Sequence, residues 1–256
     1  MKTLVVQGYY GDKSLHDPSS DITLMIDICR KSVEMWAKDS GYDYKYYNNE
    51  LPYEVDWDAR MGYWAPSLYK FQWCDQPEYD NVIWIDLDVY VWGMPIIKPS
   101  YFAIRCKRYD DDDHTDPYFY QLNAGIFWGT GVKDLIAWVK SHPEEWSIPV
   151  QYVKSQVNFV NHIGVDFKKY GSITPYVGDC EHAVMCDQRL MRPWVAENVD
   201  SIRQLSESEV HRMYRRDETA PGTFVHFVSR RKYRYFQEFV GYMKWQREQD
   251  VKRGLI

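Results

Sequence analysis

Two aspartates one residue apart, Asp86 and Asp88, close an apolar stretch that reads Asn-Val-Ile-Trp-Ile over 81–85. Asp-x-Asp alone says little, because it recurs at Asp56/Asp58, Asp110/Asp112 and Asp111/Asp113. What sets 86 and 88 apart is the approach to them. Val82, Ile83, Trp84 and Ile85 are β-branched or aromatic, the composition of a buried strand. Side chains at i and i+2 of an extended chain project to the same side. Two carboxylates held together at the rim of a sheet repel one another unless a cation neutralises them. The spacing therefore points to a divalent metal site.

Three other segments carry residues able to do chemistry. In Leu-Asn-Ala-Gly-Ile-Phe (122–127), small side chains at Ala124 and Gly125 let a ligand approach the backbone, and Asn123 offers both a donor and an acceptor. A bulge or a close strand–helix contact would explain Gly125 equally well. Asp187-Gln188 precedes a helical stretch, where Asp187 would also suit a cap. His226 lies in Val-His-Phe at 225–227, and a lone strand histidine is usually structural. The acidic run Asp110–Asp113 with His114 and Asp116 reads as a solvated loop in preference to a calcium site.

The elements that must position these residues follow from periodicity. Thr3–Gln7 reads as a first strand. Ile22, Met25, Ile26, Cys29, Val33, Trp36 and Ala37 fall at helical spacing, with Ser20 as N-cap and Gly41 just past the C-terminus. Tyr42–Tyr47 returns as a strand, and a helix over about 65–74 leads into a strand at Val82–Asp86. Further strands are expected at Tyr101–Cys106, Leu122–Trp128 and Thr223–Val228. Helices are expected at Val132–Ser141, at Asp187–Val195 with a break at Pro193, and at Tyr235–Lys252. The alternation implies an α/β fold whose first strands are parallel. No Pro/Gly/Ser-rich linker divides the 256 residues, so a single domain is expected.

Composition bounds the function. With 22 Tyr, 11 Trp and 10 Phe the chain is rich in rings that suit half-wet clefts. Five cysteines, none in Cys-x-x-Cys, leave one over and argue for thiols in a reducing compartment over a disulfide framework or zinc site. No apolar run approaches the roughly 18 residues of a membrane span, and the N-terminal apolar stretch is short for a signal peptide. A cytoplasmic protein is expected. The net charge of −6 hides an asymmetry: residues 203–253 carry 12 Lys/Arg against 7 Asp/Glu. A basic C-terminal segment suits an anionic ligand or is simply a solvated helix face.

Taken in order, Val-Ile-Trp-Ile-Asp-Leu-Asp (82–88), Leu-Asn-Ala-Gly-Ile-Phe (122–127), Asp-Gln (187–188) and Val-His-Phe (225–227) make the chain resemble the GT-A fold glycosyltransferases. The glycogenin-like and lipopolysaccharide galactosyltransferase groups are the nearest in pattern, over roughly residues 1–230. The resemblance implies a Rossmann-like mixed sheet flanked by helices, with residues 231–256 as a basic C-terminal helix. It implies that Asp86, Asp88 and His226 hold Mn²⁺ or Mg²⁺. It places Gln7, Gly8, Tyr9 and Tyr10 at the nucleoside pocket and Lys70 and Lys232 at the donor. Asn123, Asp187 and Gln188 fall beside the donor sugar as catalytic candidates.

A nucleotide sugar, UDP-linked in preference to GDP-linked, would then give its sugar to an acceptor hydroxyl on a glycan, lipid, protein or modified nucleic acid. Retention of configuration is slightly preferred. The chain departs from the pattern where Arg231-Lys232-Tyr233 replaces the Lys-Pro-Trp that follows the histidine, and where no Asn follows Asp187-Gln188. Two alternatives stand beside this reading. One is a phosphatase or phosphotransferase of the haloacid-dehalogenase type, whose Asp-x-Asp would put Tyr90 at a Thr/Val position. The other is a non-catalytic sugar- or nucleotide-binding module.

Overall fold

In chain order the elements are β1 (Thr3–Tyr9), α1 (Ile22–Asp39), β2 (Asp43–Asn48), α2 (Ala65–Trp73), β3 (Asn81–Ile85), β4 (Val89–Trp92), β5 (Phe102–Arg108) and β6 (Tyr120–Gly129). They are followed by α3 (Val132–Ser141), β7 (Ser147–Pro149), β8 (His182–Val184), α4 (Asp187–Glu197), β9 (Ile202–Gln204), β10 (Val210–Met213), β11 (Thr223–Phe227) and α5 (Lys232–Lys252). The structure is a computed structural model. It describes residues 1–10, 22–52, 65–108, 120–142, 147–149, 182–184, 187–213, 222–227 and 232–253. Ser20 and the acidic run at 110–116 lie outside them. The elements group into two compact units, and one of the points where the chain passes from the first to the second falls between Ile85 and Asp86.

The first unit is built on a six-stranded mixed sheet in the order β2-β1-β3-β6-β5-β9. β1 runs parallel to both β2 and β3, as the alternation of elements implies. β6 pairs antiparallel with β3 and β5, and β9 closes the far edge parallel to β5. Burial explains the sequence of each strand. All five residues of β3 are buried, so it reads as a continuous apolar run. β2, at the edge, alternates exposed and half-buried positions before Tyr47. Helices α2, α3 and α4 contribute Leu68, Phe71, Leu135, Val139, Leu190 and Trp194 to the core over this sheet.

Pro193 does not break α4, which continues to Glu197. An interior proline costs roughly 3 kcal/mol through a lost hydrogen bond and a clash with the preceding turn. Leu190, Met191 and Val195 around it are buried to 1% exposure or less. Each such side chain contributes roughly 1.5–3 kcal/mol, which together exceeds the cost.

The second unit holds α1, β4, β10, β11 and α5. Its sheet has the order β10-β11-β4, with β11 parallel to β10 and antiparallel to β4. Met25 and Cys29 of α1, Val225 and Phe227 of β11, and Phe236 and Phe239 of α5 form its core. Helix α1 ends at a glycine, as its spacing implies. Gly41 has φ +71° and donates its N–H to Lys38 O at 3.0 Å, satisfying one of the last helical carbonyls. No described helix is long and apolar enough to cross a membrane.

Candidate metal centre and buried ion pair

Asp86 and Asp88 are brought together by a turn and not by extended chain. β3 stops at Ile85, and Leu87 and Asp88 occupy the turn that follows. The Val89 N–H donates to Asp86 O at 3.2 Å and closes it. The same-side rule for alternate strand residues therefore does not account for the pair. The cause is the next strand: β4 pairs with β11, and the Phe227 N–H donates to Asp88 O at 3.0 Å, carrying that ladder one residue back.

His226 lies opposite Val89 in the same ladder. Side chains alternate along a strand, so with Val225 and Phe227 in the core the imidazole between them projects to the other face. Its Nε2 stands 3.2 Å from Asp88 Oδ1, and the residue is 6% exposed. Asp86 and Asp88 are half-buried. One ligand atom from each of Asp86, Asp88 and His226 lies within 4.8 Å of the others, the one such group among the described residues.

This donor set fits a divalent ion. Oxygen ligands stand roughly 2.0–2.6 Å from Mg²⁺ or Ca²⁺, so two ligands of one ion are at most about 5 Å apart. Two carboxylates with one imidazole make a mixed oxygen and nitrogen shell, compatible with Mn²⁺ and tolerant of Mg²⁺.

In the first unit the structure joins two other sequence candidates, and the residue after a third, Asn123, touches one of them. Lys70 is only 5% exposed and forms an ion pair with Asp187, which is 8% exposed and opens α4. The Lys70 ammonium also donates to Ala124 O at 3.1 Å and stands 5.2 Å from the centroid of the Trp84 ring. Asn123 is buried, and its Oδ1 accepts the Gly125 N–H at 3.1 Å. The pairing of β5 with β6 is irregular here: Ile104 faces Phe127, but Arg105 faces Asn123. Ala124, Gly125 and Ile126 thus form a bulge against β5. Bulges re-aim backbone groups, and here the Ala124 carbonyl meets Lys70. Gln188, the next residue of α4, is half-buried.

The start of the chain is packed closely. Gln7 is fully buried and its Oε1 accepts the Tyr44 hydroxyl at 2.9 Å. A Cβ on Gly8 would come within 2.3 Å of the Trp73 ring, which explains the glycine without a ligand. Tyr9 is half-buried, and Tyr10 is 39% exposed with its ring edge against Tyr69 at 4.6 Å. Burial is the first cause that raises the Tyr69 pKa, with Tyr10 the second. Lys232 is the first residue of α5; Arg231 lies outside the described residues. Sequence reasoning missed Trp84 as a partner of Lys70 and Trp73 as the centre of a stack with Tyr47 and Trp84 at 6.0 and 5.8 Å. A lysine inside the apolar helix Ala-Pro-Ser-Leu-Tyr-Lys-Phe-Gln-Trp was the available signal.

No protein-family model matches the chain, and no curated protein matches it in sequence. Among solved structures it is similar to a glycosyltransferase involved in the glycosylation of the major capsid of PBCV-1. Identity is 15%, coverage 93% of this chain and 99% of that one, and the TM-score 0.48. It is also similar to the galactosyltransferase LgtC in complex with donor and acceptor sugar analogues, at 10% identity, 92% and 94% coverage and a TM-score of 0.44.

Proposed function

We propose that residues 1–256 form one metal-dependent glycosyltransferase domain that takes a nucleotide sugar, UDP-linked in preference to GDP-linked, and retains configuration at the transferred sugar. The observation that supports this most is the convergence of Asp86, Asp88 and His226, three residues from two of the four ordered motifs, in one cluster of ligand atoms. A divalent ion, Mn²⁺ or Mg²⁺, would supply Lewis-acid neutralisation of the charge that grows on the departing nucleoside diphosphate.

The chain's own residues take the remaining roles. Asp86 and Asp88 fix the position of the diphosphate end, with His226 as the third protein ligand, and Lys232 adds positive charge. Gln7, Gly8, Tyr9 and Tyr10 form the start of the nucleoside pocket. Lys70 neutralises Asp187 and holds it in one orientation, so Asp187 serves to bind donor hydroxyls and not as a general base. Asn123 and Gln188 complete the contacts to the sugar, with Gln188 nearest the anomeric carbon. The protein acts in the cytoplasm in this reading.

A thermal-shift screen of nucleotide sugars with and without Mn²⁺ tests the proposal. A ligand bound at 100 times its dissociation constant stabilises the native state by about 2.7 kcal/mol. The expected result is a raised melting temperature with UDP-sugar and Mn²⁺ together, and little with either alone. Turnover of p-nitrophenyl phosphate without any response to nucleotide sugars would favour the phosphatase alternative instead.

A further inference from the structure

The three residues of the metal cluster hang on two strands, and one of these ends its sheet among the described residues. β4 is the terminal strand of the order β10-β11-β4. Asp88 immediately precedes it, and His226 is paired with its first residue, Val89. The Val91 N–H does not serve the ladder with β11; it donates to Ser32 Oγ on α1 at 3.0 Å. The Ser32 hydroxyl in turn donates to Cys29 O at 2.7 Å, one turn back along its own helix. Both roles of the hydroxyl are thereby used, and its orientation is fixed. A second tie from α1 lies beyond the strand's other end, where Trp36 Nε1 donates to Pro95 O at 3.1 Å.

We propose that Ser32 is a positioning residue for the metal centre: it anchors the edge of β4 to α1 and so fixes the spacing of Asp88 against His226. The inference rests on the metal reading above and adds to it a residue 54 positions before the first ligand. Ser32 touches neither ligand. It acts through the backbone of β4, whose register with β11 sets the distance between the carboxylate and the imidazole. A strand with one edge open to exchange of its N–H partners can slide or peel, whereas a side-chain hydroxyl bonded to that edge resists both. Outer-shell partners of metal ligands typically change affinity 10–100-fold when removed. Ser32 lies one step further out, so a loss of roughly tenfold is expected.

The test compares Ser32→Ala, Ser32→Thr and Trp36→Phe with the parent chain, reading Mn²⁺ dissociation constants by titration calorimetry and melting temperatures in parallel. Ser32→Ala is expected to weaken Mn²⁺ binding about tenfold at a temperature where the protein is fully folded. Ser32→Thr keeps the hydroxyl and restores most of that affinity. Trp36→Phe removes the other tie from α1; it lowers the melting temperature and leaves Mn²⁺ affinity within about twofold. If Ser32→Ala lowers only the melting temperature and Mn²⁺ binds as before, Ser32 is merely structural and the inference is wrong. If the parent chain itself binds no Mn²⁺, the metal reading fails first, and this inference with it.

Discussion

Asp187 in the first unit carries its counter-charge with it, since the Lys70 ammonium is paired to it and both residues are buried. Asp86 and Asp88 in the second unit are grouped with the His226 imidazole in one set of potential ligand atoms. The first is a closed ion pair; in the second, on the proposed reading, a divalent cation offsets the repulsion between two carboxylates. Removing one partner of a buried pair leaves the other charge stranded, whereas removing one ligand of a metal cluster relieves repulsion between carboxylates. The first change should therefore appear in stability and the second in metal-dependent function.

That contrast is broken or sharpened by four substitutions. Lys70→Met strands the Asp187 carboxylate and is expected to cost roughly 3–5 kcal/mol in urea or thermal unfolding. Adding Asp187→Leu to it should recover most of that loss, because an apolar pair of similar volume replaces two buried charges. Asp88→Ala should leave the melting temperature nearly unchanged while Mn²⁺-dependent sugar transfer falls more than roughly 100-fold, beyond what outer-shell substitutions cost. A fall in stability as large as that of Lys70→Met would erase the distinction between the two sites. Gln188→Ala should lower kcat about tenfold with the donor KM nearly unaffected, the signature of an interaction made in the transition state. A pure rise in KM would move Gln188 away from the anomeric centre.

How much of this was legible beforehand depends on whether the cause was local. Helix α3 runs over Val132–Ser141 as read from the sequence, since Val132, Leu135, Ile136 and Val139 fall on one buried face. Strand β4 was not foreseen, although Val-Tyr-Val-Trp is strand-like, because its pairing partner β11 lies more than a hundred residues away. The three-residue β9 was invisible for the same reason: its partner β5 is remote in the chain. Pro193 misled because the local penalty was visible and the burial of its neighbours was not.

The candidate site shows the same division. Asp86 and Asp88 were legible as a candidate pair from their place after a buried strand, and His226 was added to them by the resemblance alone; the structure groups the three. The turn that joins the two aspartates was not legible, because it is imposed by the β4–β11 ladder. Lys70 was placed at the donor by the resemblance alone. Its burial depends on Trp84, Ala124 and Asp187, and no spacing within α2 reports them.

The most direct measurement is anomalous scattering at the manganese edge from crystals soaked with Mn²⁺ and UDP. One peak is expected in contact with carboxylate oxygens of Asp86 and Asp88 and with the His226 imidazole, at roughly 2.0–2.3 Å, with diphosphate density beside it. A peak elsewhere, or none while UDP is bound, would contradict this.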